Sequence, residues 1–253
     1  MRLKNKVAII TGGSSGIGEQ ISLRFGQEGA KVAIVNRTAD AGETVAEAIT
    51  AAGGIAKAFP CDVSNKAQVQ AMVLDVVDAF GTVDILIGNA GFMVLKPLEK
   101  LSEQDWDRTM DVNIKGNFLL AQAVAPIMKK KRYGKIVLTG SIAGSQGHAE
   151  GAAYCASEGG VILLMKALTS ELAKEGINVN CLSPGATATP LNAQYRKDPE
   201  ILSLFANNTP TGRDYVPPQD MAGAALFLAS DDAHAVHGLN LVVDDGLSAV
   251  KPV

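Results

Sequence analysis

Short runs in which nearly every residue is apolar alternate along the chain with longer stretches whose apolar residues return every three or four positions. The runs are Val7–Ile10, Val32–Val35, Ala56–Phe59, Ile85–Ile87, Ile136–Leu138, Val179–Leu182 and Leu241–Val243. They lack the in-out alternation of a half-exposed strand, so they predict strands of a parallel sheet covered on both faces. The periodic stretches predict helices over Gly18–Gln27, Ala39–Ala51, Lys66–Ala79, Asp105–Lys131, Ala152–Lys174 and Pro218–Ala229. Gly29, Gly53-Gly54, Gly81, Gly134 and Gly176 each follow such a stretch, where glycine supplies a left-handed cap. Ser64 and Ser102 are placed as N-caps. Strict β-α alternation predicts an α/β fold: a doubly wound parallel sheet of about seven strands with helices on both faces. No Pro/Gly/Ser-rich linker and no internal repeat interrupts residues 1–253, so one domain is expected. The least regular part is 186–217, which reads as a substrate-loop insertion.

Composition narrows the function classes. The chain has 253 residues, 47% of them apolar and 19% charged, enough for a large core and too few charges for a disordered polyelectrolyte. A net charge of −3 gives no general attraction to nucleic acid. The run Lys129-Lys130-Lys131-Arg132 reads as cations at the negative end of a helix dipole. Cys61, Cys155 and Cys181 have no metal-ligand spacing, so no metal site is expected, and free thiols suit a reducing cytoplasm. No run is long and apolar enough to span a membrane, and the start of the chain, reading straight into a strand, leaves no room for a signal peptide; a cytoplasmic protein is the expectation.

The candidate chemistry begins with Thr11-Gly12-Gly13-Ser14-Ser15-Gly16-Ile17-Gly18, between the first strand and the first helix. A glycine turn there admits close backbone approach and aims helix N-terminal amides at an anion, as in the Rossmann-type dinucleotide fold. The spacing Gly12, Gly16, Gly18 is followed by Cys61-Asp62-Val63, Gly88-Asn89-Ala90-Gly91, Asp111-Val112-Asn113, Ser141, Tyr154 and Pro184-Gly185 with Thr189. This ordered set resembles the short-chain dehydrogenase/reductase family from Lys6 to about Gly246. The resemblance implies an NAD(P)-dependent oxidoreductase that moves a hydride between a nicotinamide cofactor and a small to medium alcohol or ketone. It implies cofactor contacts from Gly12, Ser14, Ser15, Gly16, Ile17, Gly18, Asn36, Arg37, Asp62, Val63, Asn89, Ala90, Gly91, Pro184, Gly185 and Thr189. Asp62 would meet the adenine, and Thr189 the nicotinamide carboxamide. Tyr154 would be the acid/base, Ser141 a hydrogen-bond partner of the substrate oxygen, and Asn113 the holder of a relay water. A homotetramer built through the long fourth and fifth helices and the C-terminal strand is also implied.

At the end of the second strand, where NAD enzymes place a carboxylate for the ribose 2′-hydroxyl, the chain has Asn36-Arg37. A neutral side chain followed by a guanidinium favours NADP(H) over NAD(H). Phe92, Met93, Val94, His148, Leu191 and Tyr195 are the candidates for the substrate wall.

One position departs from the family's Tyr-x-x-x-Lys: four residues after Tyr154 stands Glu158. Positions i and i+4 share a helix face. A phenol titrates near ~10, and a neighbouring ammonium lowers that while a carboxylate raises it. The oxidoreductase is therefore expected to be impaired, and the second reading is a dinucleotide-binding protein without turnover, a sensor or an inactive oligomer partner.

Overall fold

The computed structural model describes residues 1–250. Seven strands form one sheet: β1 (Val7–Thr11), β2 (Lys31–Asn36), β3 (Ile55–Pro60), β4 (Ile85–Gly88), β5 (Gly134–Thr139), β6 (Ile177–Pro184) and β7 (Asn240–Val243). Their order is β3-β2-β1-β4-β5-β6-β7, and every pairing is parallel. Each expected strand is present, extended by up to two residues at either end.

The helices are α1 (Gly16–Gln27), α2 (Ala39–Ala51), α3 (Lys66–Phe80), α4 (Glu103–Met110), α5 (Gly116–Lys131), α6 (Ala152–Leu172), α7 (Pro199–Asn208) and α8 (Pro218–Ala229). Strand periodicity sorts the core into two layers. Val7 and Ile9 of β1 face α3, α5 and α6 through Val73, Leu120, Val124 and Met165. Ala8 and Ile10 face the other way, with Ile21 and Phe25 of α1, Ile49 of α2 and Leu226 of α8. Burial on both faces explains why the strand sequences are continuously apolar.

Four local expectations are corrected. The predicted helix over Asp105–Lys131 is divided by a π-helical turn, Asp111–Lys115. The N-cap of α3 is Asn65, whose side chain accepts from the Gln68 amide, while Ser64 is bonded to Asp62 instead. The left-handed residue after α5 is Arg132 (φ 52°), and Gly134 already belongs to β5. Finally, the 186–217 segment is not irregular throughout: Asp198 caps a helix, α7, that starts on Pro199. Ser102 does cap α4, in a reciprocal capping box with Asp105.

The sheet order reverses between β1 and β4. Brought together at that crevice are the carboxyl ends of the strands, which is where a doubly wound sheet holds its ligands. At the opposite end, the Lys129–Lys131 run closes α5 as expected, with Lys131 paired to Asp84 and Lys129 to Glu171.

Candidate active site

A cleft of about 1630 Å³ runs along that edge, from the glycine turn to the start of α6. Its floor is made by a clasp that sequence reasoning missed. The Thr11 hydroxyl accepts from the Asn89 and Ala90 amides at 2.9 and 3.0 Å, and Asn89 Nδ2 donates back to the Thr11 carbonyl at 3.1 Å. The glycines then shape the turn. Gly12 (φ 61°) and Gly16 (φ 55°) occupy left-handed backbone. A Cβ on Gly18 would stand 2.1 Å from the Gly12 carbonyl oxygen, so this helix residue packs directly beneath the turn. Gly18 thus supports the cleft without lining it, whereas Gly12, Ser14, Ser15, Gly16 and Ile17 do line it.

The cradle fits a dinucleotide diphosphate. Ser15 is the N-cap of α1 in extended conformation, with no side-chain bond to the first-turn amides. Those amides are available to an anion, at the positive end of the helix dipole. Thr189 closes over Gly16, whose Cβ would lie 3.1 Å from it. The loop carrying Pro184, Gly185 and Thr189 is braced by Asn192 Nδ2 on the Thr187 carbonyl at 2.7 Å and by Arg196 on the Thr189 carbonyl at 3.2 Å.

At the far end of the cleft sit Asn36, Arg37, Asp62 and Val63. The Asn36 amide nitrogen bonds the Thr38 carbonyl, and its buried oxygen has no partner among the described residues. Arg37 is exposed and makes no ion pair among the described residues. Asp62 accepts from the Ser64 hydroxyl (2.7 Å) and amide (2.9 Å); those bonds, then the Arg37 and Arg108 charges, hold its carboxyl below the usual range. Arg108, from α4, also lies 4.2 Å over the Phe92 ring and lines the cleft, a second cation not foreseen from the sequence. Its long-range placement left no local signal.

Gly88 stands where the family pattern has its first Asn. A Cβ there would meet Asn117 Oδ1 at 2.1 Å. Asn117 fills the space, bonded to the Asn113 carbonyl at 2.7 Å. The remaining residues of that turn, Asn89, Ala90 and Gly91, line the cleft as expected.

The chemical end joins three elements. Ser141 leaves β5, Asn113 sits in the π turn, and Tyr154 and Glu158 lie on α6; all four line the cleft. Asn113 is 2% exposed. Its Oδ1 accepts from the Phe92 amide at 2.8 Å, and its Nδ2 faces three acceptors: Ser157 Oγ (2.9 Å), the Phe92 carbonyl (3.0 Å) and Glu158 Oε1 (3.3 Å). An amide has two protons to give, so the longest of these bonds, to Glu158, is the weakest. Glu158 is 5% exposed, and its Oε2 has no partner among the described residues. That oxygen lies under Gly140, 3.7 Å from where a Cβ there would be.

The electrostatic consequence is severe for both groups. Burial pushes the Glu158 carboxyl up to about 8. Burial, and then the Glu158 charge, push the Tyr154 phenol well above its ordinary value, while hydrogen bonding with Ser141 pulls weakly the other way. Ser141 Oγ also accepts from the Ala143 amide at 3.1 Å.

Of the candidates for a substrate wall, Phe92, Met93, His148, Leu191 and Tyr195 line the cleft, and Leu95 does so where Val94 does not. Leu204, Phe205 and Asn208 of α7 join them, which gives the unforeseen helix a place in the site. Cys61, Cys155 and Cys181 are free thiols, and no cluster of metal-ligating side chains occurs among the described residues. No described helix is long and apolar enough to cross a membrane.

Comparison with known proteins places this geometry. Residues 12–248 match a family model described as enoyl-(acyl carrier protein) reductase. The chain is 40% identical to D-threitol dehydrogenase of Mycolicibacterium smegmatis over 97% of its own length and 94% of that protein's. It is 35% identical to the 3-oxoacyl-[acyl-carrier-protein] reductase of Thermotoga maritima, covering 98% of this chain and 99% of that one. Among solved structures, a gluconate 5-dehydrogenase from Burkholderia cenocepacia in complex with NADP and tartrate superposes with a TM-score of 0.95 at 34% identity, covering 98% and 97% of the two chains. A short-chain type dehydrogenase/reductase from Mycobacterium marinum gives 0.93 at 33% identity, covering 98% and 97%. With the fold, the glycine cradle and whole-length likeness in agreement, the chain belongs to the short-chain dehydrogenase/reductase family and is by kinship an NAD(P)-dependent oxidoreductase.

Proposed function

We propose that this protein is an NADP(H)-preferring carbonyl reductase or alcohol dehydrogenase acting on small to medium alcohols and ketones, slowed by Glu158. The observation that carries the reading is the buried, half-orphaned Glu158 carboxyl one helical turn from Tyr154. NADP(H) preference rests on the neutral Asn36, the unpaired Arg37 and the added charge of Arg108. A solved relative, a gluconate 5-dehydrogenase from Beutenbergia cavernae described with bound NADP, is in keeping with it. Curated relatives named for polyols and for acyl-carrier substrates are in keeping with a hydroxyl or ketone as the reacting group.

The cofactor, when bound, supplies or takes the hydride. The residues do the rest. Tyr154 gives its phenol proton to the substrate oxygen in reduction and, as the phenolate, takes one back in oxidation. Ser141 hydrogen-bonds that oxygen. Asn113 fixes the Phe92 backbone and the α6 face bearing Glu158. Met93, Leu191 and Tyr195 exclude water, and His148 offers a ring nitrogen to a polar substituent. Glu158 acts on the phenol. Around neutrality it is largely protonated, so what the site lacks is a cation's help, worth about 2–3 kcal/mol at ~6 Å and an effective dielectric of ~20. Above pH 8 the carboxylate adds a penalty of similar size. Microscopic reversibility applies it to both directions.

The same observation favours one alternative, a dinucleotide-binding protein without turnover. An assay of NADPH- and NADH-dependent reduction over a carbonyl panel separates the two, run with the protein and with Glu158→Lys. A gain of roughly 100-fold in kcat/KM for the variant at pH 7, widening above pH 8, supports the disabled relay. Turnover that lysine does not improve refutes it, and binding without turnover in either form leaves the second reading. We further propose a cytoplasmic homotetramer: the free thiols suit a reducing compartment, and Phe118 on α5, Leu163 on α6 and Val242 on β7 stand 42%, 67% and 39% exposed.

A further inference from the structure

Glu158 has a second consequence, one for binding rather than for rate, and it rests on the oxidoreductase reading above. Hydride transfer fixes where the nicotinamide ring lies. The ring carbon that gives up the hydride must stand ~3–3.5 Å from the substrate carbon, whose oxygen meets Tyr154. The ring would therefore lie beside the α6 face that carries Tyr154 and Glu158, both of which line the cleft. An oxidised nicotinamide ring carries a positive charge; a reduced ring carries none. We propose that Glu158 couples cofactor redox state to a proton: the oxidised dinucleotide binds with loss of a proton from the Glu158 carboxyl to solvent, and the reduced one binds without it.

Among the described residues no charged group competes with the ring for Glu158. Asn113 offers Oε1 a third-choice bond at 3.3 Å, and Oε2 has no partner among the described residues. The titratable groups facing Glu158 are Tyr154 on its own helix and Cys181 on β6, the latter pushed by burial up to about 11, so both are neutral at pH 7. The end of β5 brings Gly140 and Ser141, and the π turn brings neutral Asn113. The charged members of that turn, Asp111 and Lys115, are paired with each other at 3.0 Å. Arg108 of α4 is engaged over Phe92. Among the described residues no salt bridge reaches Glu158.

With its carboxyl raised to about 8 by burial, Glu158 is mostly protonated at pH 7 before ligand binds. A positive charge held about 7 Å away at an effective dielectric of ~20 would lower that by about 1.7 pH units. Binding of the oxidised form at pH 7 then releases about 0.8 proton, and binding of the reduced form releases none from this group. The preference for the oxidised form, taken relative to Glu158→Gln, rises with pH from near unity around pH 6 to roughly 50-fold near pH 9.

Isothermal titration calorimetry of the intact protein, in phosphate and in Tris at pH 7, reads the proton count from the dependence of the binding heat on buffer ionisation. NADP+ is compared with NADPH, and NAD+ with NADH. Protons taken or given by the cofactor's own 2′-phosphate are common to both redox forms and cancel in the difference. A difference of about 0.8 proton, abolished in Glu158→Gln, is the expected result. Equal proton counts for the two redox forms of the unmodified protein overturn the inference while leaving the oxidoreductase reading intact. A difference that persists in Glu158→Gln also overturns it. Failure of both pairs to bind overturns the oxidoreductase reading, and this one with it.

Discussion

Burying a carboxyl without a counter-charge should weaken the fold in a pH-dependent way, and Glu158→Gln exposes how much. The amide keeps the shape and one acceptor oxygen but cannot ionise. In the native protein the Glu158 carboxyl titrates at about 8, against an ordinary value of 4.5 when the chain is unfolded. Below pH 4.5 the group is neutral in both states and costs nothing through ionisation. As pH rises from there, the unfolded chain loses this proton while the folded chain keeps it, so stability falls. The fall ends once the folded carboxyl also ionises, at about pH 8. At ~1.4 kcal/mol per pH unit the loss is about 3 kcal/mol by pH 7 and about 5 kcal/mol above pH 8. Glu158→Gln removes that loss. The variant should match the parent near pH 4.5 and exceed it by about 3 kcal/mol at pH 7, roughly 6–12 °C in Tm for a chain of this size. Thermal unfolding of both proteins, followed by circular dichroism from pH 5 to pH 8.5, measures the gap. A constant gap across that range would mean that Glu158 is ionised in the native state or paired with a cation, and the electrostatic account of the site would fail with it.

Three further outcomes follow from the geometry. Arg37→Ser should weaken NADPH binding roughly 10- to 100-fold while leaving NADH within a factor of a few, as read by fluorescence titration; equal losses for both would show that Arg37 does not meet a 2′-phosphate. Gly88→Asn, which restores the family's usual residue, should destabilise by roughly 1–3 kcal/mol in denaturant unfolding, because its Cβ would stand 2.1 Å from Asn117 Oδ1; pairing it with Asn117→Ala should recover most of the loss. Asn113→Ala removes a 2%-exposed amide that holds the Phe92 backbone and Ser157, and should cost about 1–3 kcal/mol of stability together with weaker substrate binding; an unchanged Tm would show that the clamp is not formed.

The amino-acid sequence by itself determined the strands, most of the helices and the cradle. Those features are local: a run such as Val32–Val35 can be buried on both faces only in a covered sheet, and a turn such as Gly12–Gly18 needs its glycines wherever it sits. It also placed Tyr154 and Glu158, because chemistry at fixed spacing on one helix is visible without a fold, and Ser141, from its position just after the fifth strand. What tertiary structure alone decided are contacts between residues far apart in the chain. The Thr11 clasp on Asn89 spans 78 positions, and the Asn113 bonds to Ser157 and Glu158 span 44 and 45. The same long-range demand accompanies the π turn at Asp111–Lys115, which the helical periodicity of the surrounding sequence conceals. Arg108 over Phe92 and α7 against the substrate wall belong to the same class. The sequence could say that an acid stands near the phenol; that its second oxygen finds no partner among the described residues is a property of the packing around it, since the free energy of a buried charge depends on everything that surrounds it.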